Sequence, residues 1–264
     1  MSKKDEKQVD LSLRQFIKEL GYIAGGTAIL SSMPWLQSFT MEKAKEIKNE
    51  KARIGLIGTG SRGQYHIHNL LRIPHAEIVA LCDNYPPNLK AASELCPSAK
   101  TYTDYKKLLE SKEIDGVVIA TPLNWHAPMT LDSLDAGKHV FCEKAMALTM
   151  DECKAVYDAY RSTDKVLYFC MQRMFDEKYI RGMEMIHSGL IGEVVGARCC
   201  WFRNHDWRRP VPSPELERKI NWRLYKESSG GLMTELGSHQ LEVSNWATGL
   251  VPESVIGMGD IVFW

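Results

Sequence analysis

The stretch "GLIGTGSRG", residues 55–63, decides which fold the sequence predicts. It continues an apolar run of the kind that forms a buried strand, and it keeps the glycine spacing G-x-G-x-x-G. In a strand–turn–helix unit the first glycine forms the tight turn, the second lets the backbone approach a pyrophosphate, and the third lets helix and strand pack closely. An ordinary glycine turn can have the same spacing, but the strand before it and the helix after it favour a phosphate-binding turn, made of Gly58, Gly60, Ser61, Arg62 and Gly63.

Asp83 supports this interpretation, because it closes the next apolar run, "EIVALCD", about 20 residues beyond the glycines, where a ribose-binding acid is expected. A carboxylate there accepts hydrogen bonds from the ribose hydroxyls and repels a 2′-phosphate. Asp83 also suits the N-cap of the following helix, and the two roles are compatible. The sequence therefore predicts a dinucleotide cofactor, NAD in preference to NADP.

Short apolar runs alternate with helix-like segments from Arg53 to about residue 172. This alternation is typical of parallel crossover units, so an α/β Rossmann domain with a doubly wound parallel sheet is predicted over residues 53–172. A helix-like segment and the long β-like run "EVVGARCCWFRNHDW" follow, and they predict an α+β domain over residues 173–264 with an open, mostly antiparallel sheet. Residues 208–229 are predicted to form a long loop. The sequence stops at "GMGDIVFW", which resembles the middle of a strand, so we expect this second domain to be incomplete.

Residues 1–40 resemble an export signal, because a polar, charged stretch precedes an apolar, glycine-rich one. The run "SLRQFIK", residues 12–18, is similar to the twin-arginine pattern, with Leu13 in place of the first arginine. A periplasmic or exported protein is predicted, and the alternative is a cytoplasmic protein with an amphipathic N-terminal helix. Residues 41–52 are predicted to be a charged linker.

The charge balance excludes some partners, because 33 basic residues match 33 acidic ones and the formal net charge is zero. Nothing global draws the chain to nucleic acid, and its N-terminal apolar segment is too short for stable membrane insertion. The seven cysteines include no C-x-x-C pair, so reduced thiols and no zinc site are expected. His66 and His68 lie two positions apart and face different sides of a helix, which predicts two ordinary histidines and no metal.

The pair Glu143–Lys144 follows "HVFC", the fifth predicted strand. Ligands of a doubly wound sheet bind in the crevice outside the carboxyl ends of its strands. We therefore expect this pair near the nicotinamide end of the cofactor. The residues that follow the fourth strand are expected beside it as cofactor contacts: Thr121, Pro122, Asn124 and His126.

Four motifs together resemble the Gfo/Idh/MocA family of oxidoreductases: "GLIGTGSRG", "ATPLNWH", "AGKHVFCEKAMALTMDE" and "GGLMTELGSHQLEVSNW". The resemblance extends from about Arg53 to the end of the sequence. It implies a Rossmann domain followed by an open-sheet domain, with NAD(P)-dependent redox chemistry on sugars and cyclitols. A small carbohydrate substrate is the expected partner, and the full-length form is expected to be a homo-oligomer.

Two hallmarks of that family have counterparts here. Its Glu-Lys-Pro motif matches Glu143-Lys144-Ala145, with alanine in place of proline, and this match implies that Lys144 contacts the cofactor and the reacting hydroxyl. Its Asp-x-x-x-His motif matches Glu235 and His239, one turn apart if the segment is helical. The resemblance implies an acid/base role for His239 beside a carboxylate that orients the substrate, and Glu242 is a candidate further contact.

Three functions remain open from the sequence. The first is a sugar dehydrogenase that releases its reduced cofactor. The second, implied by other members of the family, is a glycoside lyase or hydrolase that retains NAD and oxidises the sugar only transiently. The third is a non-catalytic NAD-binding protein or a truncated product. Arginine and aromatic side chains that suit a carbohydrate are expected at the cleft: Arg203, His205, Trp207, Trp222, Arg223 and Tyr225.

Overall fold

The computed structural model describes residues 51–202 and 207–259. The predicted export signal, nearly all of the predicted linker, and the candidate cleft residues Arg203 and His205 lie outside the described residues.

The first half of the described chain forms a six-stranded sheet in the order β3-β2-β1-β4-β5-β6. All five strand pairs are parallel. The order reverses between β1 and β4, which confirms the predicted doubly wound Rossmann sheet. The strands are β1 (Ala52–Ile57), β2 (Ala76–Cys82), β3 (Lys100–Tyr102), β4 (Gly116–Ile119), β5 (His139–Glu143) and β6 (Leu167–Cys170).

Helices connect these strands, as a parallel sheet requires. They are α1 (Ser61–Leu70), α2 (Pro86–Leu95), α3 (Tyr105–Leu109), α4 (His126–Asp135) and α5 (Met150–Arg161). Helix α5 begins at a capping box in which Thr149 Oγ1 accepts from Glu152 N while Glu152 Oε2 accepts from Thr149 N. Such a box satisfies backbone N–H groups that the first helical turn leaves unpaired.

Two apolar clusters cover the two faces of the sheet. One packs Ile67 and Leu70 of α1 against strand residues such as Leu56. The other packs Leu108 of α3 and Leu134 of α4 against the opposite side of the strands. Neighbouring strand residues point to opposite faces, so continuous apolar strands such as "GVVI" of β4 are buried on both.

The second half of the described chain is helical where it is regular. It contains α6 (Glu177–His187), the short α7 (Glu217–Ile220), a π-helical turn (Met233–Gly237) and α8 (Ser238–Thr248), with 3₁₀ turns at Gln172–Phe175, Pro214–Leu216 and Trp222–Leu224. The predicted long loop over residues 208–229 is therefore partly helical. Helix α8 ends at Gly249, whose positive φ of 69° is the left-handed conformation that glycine adopts without a Cβ clash.

The predicted mostly antiparallel sheet is not confirmed, since none of the described residues between 173 and 259 forms a strand. The run 193–202 has no regular secondary structure, although its valine and aromatic residues favour a strand. A strand is stabilised by a hydrogen-bonded neighbour, and no described residue supplies one here. Val195 and Phe202 are accordingly more than 90% exposed.

None of the described helices has the length and apolar character needed to cross a membrane.

Substitution of Gly63 tests how closely α1 packs on the phosphate-binding turn. An alanine Cβ at this position would lie 2.0 Å from the carbonyl oxygen of Gly58. We expect Gly63→Ala to lower the free energy of unfolding by about 1–3 kcal/mol, measured by urea denaturation. Gly182 in α6 is the matched control, because its Cβ would meet no atom within 4 Å. Gly182→Ala should instead stabilise by about 0.5–1 kcal/mol, and equal stability of the two variants would contradict the packing argument.

Candidate functional site

A cleft of about 1350 Å³ lies at the carboxyl ends of the strands. Residues that follow β1, β2, β4 and β5 form one wall, and residues of the helical second half form the other. All strands are parallel, so the residues that follow them meet at one edge of the sheet, which is where a doubly wound fold binds its ligand.

The phosphate-binding turn has the geometry that its sequence predicts. Gly58 has a φ of +88°, and a Cβ there would lie 2.6 Å from the carbonyl oxygen of Ala120. Gly60 is the N-cap of α1 and supplies no capping side chain, and the first turn of the helix contains no acidic residue. Ser61 begins the helix and lines the cleft. The N-terminus of α1 therefore presents unpaired N–H groups and the positive end of the helix dipole to a pyrophosphate.

Asp83 lies beside this turn, at the end of β2. Its Oδ2 accepts from Thr59 N at 2.8 Å and from Asn88 Nδ2 at 3.3 Å, and its Oδ1 accepts from Tyr85 N at 2.8 Å. The N-cap of α2 is Tyr85 rather than Asp83. Asp83 thus anchors the turn before α2 while lining the cleft. Lys219 of α7 closes over this end, where its Nζ donates to the carbonyl oxygen of Asn84 at 3.2 Å.

The turn after β4 brings Thr121, Pro122, Asn124 and His126 to the cleft wall. The Oδ1 atom of Asn124 is buried and has no hydrogen-bond partner among the described residues. A buried amide oxygen without a partner suits a ligand that carries N–H groups, such as a carboxamide. Together with the cradle of glycines and with Asp83, this orphaned atom means that the residues present fit NAD.

His126 has a different environment from the cofactor contact that we expected. It is 2% exposed, with Nδ1 at 2.7 Å from the carbonyl oxygen of Ala145 and Nε2 at 3.0 Å from that of Thr121. A neutral imidazole can donate to only one of these two acceptors. Burial lowers the pKa of His126, although both carbonyl groups act in the opposite direction. The ring therefore ties the turn after β4 to the loop after β5.

Glu143 ends β5 as a buried carboxylate. His66 Nε2 donates to its Oε1 at 2.8 Å, Arg62 Nε lies 3.4 Å from the same atom, and Lys144 N donates to its Oε2 at 3.3 Å. Burial by itself raises the pKa of Glu143, but the hydrogen bond from His66 and the charge of Arg62 outweigh it, so the pKa lies below its ordinary value. The carboxylate is therefore ionised and held.

Sequence reasoning missed His66, which we predicted to be an ordinary helix histidine. The available signal was its position four residues after Arg62, which puts both side chains on one face of α1. That face lies against the end of β5, so the two side chains reach Glu143 together. His68, on another face, is not among the residues that line the cleft.

Lys144 joins the two halves of the chain. Its Nζ donates to the carbonyl oxygen of Glu235 at 2.7 Å and lies 3.5 Å from Glu235 Oε2. The Lys144–Ala145 peptide bond is cis. The side chain is only 13% exposed, so its ammonium group lies within the cleft wall and close to a carboxylate.

Glu235 lies in the π-helical turn, so the predicted α-helix begins only after it. It is 6% exposed, and its Oε2 also accepts from Arg223 Nε at 3.1 Å, while its Oε1 accepts from Ser229 Oγ at 3.4 Å. Lys144 and Arg223 thus compensate the buried charge from two sides. The structure brings Lys144, Glu235 and His239 together in one cleft.

His239 is the second residue of α8 and is 4% exposed. Burial, with the positive charges of Lys144 and Arg173, lowers its pKa to about 4. The imidazole is therefore neutral at pH 7 and able to accept a proton. Its Nδ1 atom has no hydrogen-bond partner among the residues that the structure describes.

Glu242, the candidate further contact, is not among the residues that line the cleft. Burial raises its pKa to about 7. Both carboxyl oxygens are buried without a hydrogen-bond partner in the described part of the chain.

The expected carbohydrate-binding side chains that the structure describes divide into two groups. Trp207, Trp222 and Arg223 line the cleft, whereas Tyr225 does not, and its hydroxyl donates to Glu217 Oε1 at 3.1 Å. Sequence reasoning missed several other residues of the second half that line the cleft, because no motif marks them: Gln172, Arg173, Trp201, Arg218 and Lys219. Within the described residues, no group of three or more histidine, cysteine, aspartate and glutamate side chains is arranged to hold a metal ion.

Two family models match this chain. The model of an oxidoreductase family with an NAD-binding Rossmann fold matches residues 52–170, and the model of a GFO/IDH/MocA C-terminal domain matches residues 179–263. The fold and these matches define a chain with the NAD-binding Rossmann fold of an oxidoreductase family, in agreement with the predicted cofactor NAD. The chain belongs to the Gfo/Idh/MocA family.

Curated relatives include two glycosidases. A glycosyl hydrolase family 109 protein of Shewanella pealeana is 29% identical over 81% of this chain and 50% of its own length. An alpha-N-acetylgalactosaminidase of Shewanella oneidensis is 31% identical over 67% of this chain and 40% of its own length. The chain thus spans about half the length of the curated relatives that it matches.

Solved structures with the same fold include two inositol dehydrogenases. Myo-inositol 2-dehydrogenase from Lactobacillus plantarum superposes with a TM-score of 0.64 at 24% identity, over 76% of this chain and 57% of that one. Scyllo-inositol dehydrogenase from Lactobacillus casei, solved with NAD(H) and scyllo-inositol, superposes with a TM-score of 0.61 at 23% identity, over the same shares. These similarities support the fold. The domain boundaries, export and homo-oligomerisation stay predictions.

Asp83 should determine which dinucleotide is preferred. We expect Asp83→Ala to weaken the preference for NAD, so that the dissociation constant of NADP divided by that of NAD falls about tenfold or more. The substitution removes a carboxylate that repels the 2′-phosphate of NADP and leaves the positive charge of Lys219 nearby. Titration of both nucleotides by fluorescence measures the ratio. Asp104→Ala is the control, since Asp104 lines the same cleft but accepts from Lys106 N. An unchanged ratio in Asp83→Ala would remove this role.

Proposed function

We propose that this protein oxidises a carbinol carbon of a sugar or cyclitol by hydride transfer to NAD. The observation that carries the proposal is the placement of Lys144 against Glu235 beside a neutral, buried His239, in the cleft that begins at the phosphate-binding turn. NAD, when bound, supplies the hydride acceptor.

Lys144 supplies positive charge where the reacting oxygen becomes negative. Its ammonium group has three N–H donors, and the carbonyl and carboxylate of Glu235 take up two of them at most. A donor therefore remains for an alkoxide. A fixed positive charge in a cleft that is partly shielded from solvent stabilises a developing oxyanion more strongly than water does.

His239 is the group proposed to take the hydroxyl proton. It is neutral because burial and two neighbouring cations lower its pKa to about 4. A neutral imidazole near the hydroxyl of the substrate acts as a general base when the carbinol hydrogen leaves as hydride.

Glu235 is proposed to orient the substrate. Lys144, Arg223 and Ser229 fix its carboxylate, so its remaining lone pairs point in defined directions. Such lone pairs accept hydrogen bonds from sugar hydroxyls, and a fixed acceptor selects one ring orientation.

A second candidate is glycoside cleavage with retained NAD. Oxidation to a ketone acidifies the neighbouring C–H bond, loss of that proton expels the glycosidic oxygen, water adds to the resulting alkene, and the hydride then returns to the ketone. Two observations favour this candidate: the relatives named as glycosidases, and the contact of Lys219 with Asn84 across the adenosine end of the cleft. That contact would slow release of a bound dinucleotide.

The first experiment is release and assay of NAD(H) from the purified 264-residue chain, followed by incubation with free sugars and with nitrophenyl glycosides. Bound NAD at one equivalent, and nitrophenol release without net NADH, would establish the second candidate. Net NADH formed with a free sugar would establish a dehydrogenase. A chain that binds no NAD would contradict both.

Lys144 should be needed for turnover but not for cofactor binding. We expect Lys144→Ala to lower kcat about 10²–10³-fold, the usual effect of removing one donor to an oxyanion. NAD affinity, measured by fluorescence titration, should change little. Lys154→Ala is the matched control, because Lys154 is 75% exposed on α5. Rates near those of the wild type in Lys144→Ala would exclude the proposed role.

The pH profile tests His239. Because its pKa is about 4, kcat/KM should be flat from pH 8 to 5 and should fall only as the imidazole becomes protonated near pH 4. Glu242→Gln is the control, since the pKa of Glu242 is about 7. A fall in rate near pH 7 that disappears in Glu242→Gln would assign the titrating group to Glu242 instead.

A further inference from the structure

Arg62 belongs to the phosphate-binding turn and reaches across to the end of β5. Its side chain is 46% exposed and lines the cleft. The Nε atom lies 3.4 Å from Glu143 Oε1, and Cζ lies 5.3 Å from the ring centroid of Tyr65. Within the part of the chain that the structure describes, neither Nη group has a hydrogen-bond partner. The guanidinium therefore keeps donors for a ligand in the cleft.

His66 is the closer partner of the same carboxylate. It lies one turn after Arg62 on α1, and its Nε2 donates to Glu143 Oε1 at 2.8 Å. Two rings restrict the imidazole by edge contacts, because its centroid lies 5.6 Å from that of Phe141 and 5.9 Å from that of Tyr65. His66 thus holds Glu143 without any ligand, whereas the longer contact to Arg62 is the one that a ligand can tighten.

Glu143 connects both side chains of α1 to Lys144. Its second oxygen, Oε2, accepts from the backbone N of Lys144 at 3.3 Å, which is a long hydrogen bond. The Nζ atom of the same lysine donates to the carbonyl oxygen of Glu235. A chain of direct contacts therefore leads from the phosphate-binding turn, through Arg62 and Glu143, to the lysine of the site.

We propose that Arg62 bridges Glu143 and the pyrophosphate of NAD, so that binding of the cofactor fixes Lys144 in position. The inference rests on the proposed function for the role of Lys144, and it makes Arg62 a positioning residue. A guanidinium is planar and carries donors on separate edges, so Nε can serve one anion while the Nη groups serve another. Phosphate oxygens suit this kind of charge-assisted pair.

The bridge couples cofactor binding to the loop after β5. A half-exposed arginine samples several rotamers, and a second anion removes much of that freedom. Glu143 then has two fixed donors from α1 in place of one, so its hydrogen bond to the Lys144 amide opens less often. From the usual size of coupling between two sites, we expect NAD to slow opening of this amide about 5- to 100-fold.

The test is hydrogen–deuterium exchange of the Lys144 amide, measured by mass spectrometry with fragmentation to single residues. The purified chain is compared with NAD removed and with NAD at saturation, and in the wild type NAD should slow the exchange by the expected factor. Arg62→Met should raise the Kd of NAD about tenfold or more, measured by calorimetry, because it removes a hydrogen bond between charged groups. At saturating NAD this variant should show almost no slowing.

Two further variants separate the bridge from its parts. Arg62→Lys keeps the charge and loses the fork, so it should bind NAD more tightly than Arg62→Met and still show almost no slowing. His66→Phe keeps the ring contacts and loses the donor, so exchange should be faster by a similar factor with and without NAD. Arg181→Met is the matched control, because Arg181 is an exposed arginine of α6 that pairs with Glu184.

Melting temperature shows whether each variant is folded. Equal slowing in the wild type and in folded Arg62→Met would mean that bound NAD covers Lys144 directly. Faster exchange of the wild type with NAD would mean that the pyrophosphate draws Arg62 away from Glu143. Either result overturns the inference, as does a wild type that binds no NAD. Exchange is measured without turnover, so a chain that shows slowing dependent on Arg62 but transfers no hydride would contradict the proposed function alone.

Discussion

The contact between Lys144 and Glu235 is the interaction on which the arrangement of the site depends. It joins the loop after β5 to the π-helical turn of the second half, with an Nζ–carbonyl distance of 2.7 Å. The position of the lysine is fixed in turn by Glu143, whose buried carboxylate is held by side chains of α1. A buried charge must be compensated by a partner of opposite charge. A few ion pairs therefore couple the sheet, the phosphate-binding turn and the helical second half.

Burial is the main cause of the low pKa of His239, and an excess of positive charge around this contact lowers that pKa further. Lys144, Arg173 and Arg62 lower the pKa of the imidazole, whereas Glu143 acts in the opposite direction. The same excess suits the pyrophosphate of a dinucleotide and a substrate oxygen that becomes negative. In the proposed reaction, one electrostatic environment therefore serves cofactor binding, proton transfer and charge stabilisation.

The fold could be predicted because its determinants are local. The spacing of Gly58, Gly60 and Gly63 and the alternation of apolar runs with helical segments are sequence properties, and each maps to one crossover unit. The antiparallel sheet predicted from the run 193–207 is not confirmed in the described residues, for the complementary reason. Valine and aromatic residues favour a strand, but a strand also needs a hydrogen-bonded neighbour. The sequence of the segment does not say whether another part of the chain supplies that neighbour.

The sequence by itself determined the nucleotide cradle and the acidic residue beside it, because each depends on spacing along one or two elements. The roles of Lys144, Glu235 and His239 were implied only by the resemblance to a family. Only the tertiary structure decided that His66 holds Glu143 and that His126 ties two loops together. Those contacts join residues far apart in sequence. Burial and charge act through space, so they are set by which elements the sheet brings together.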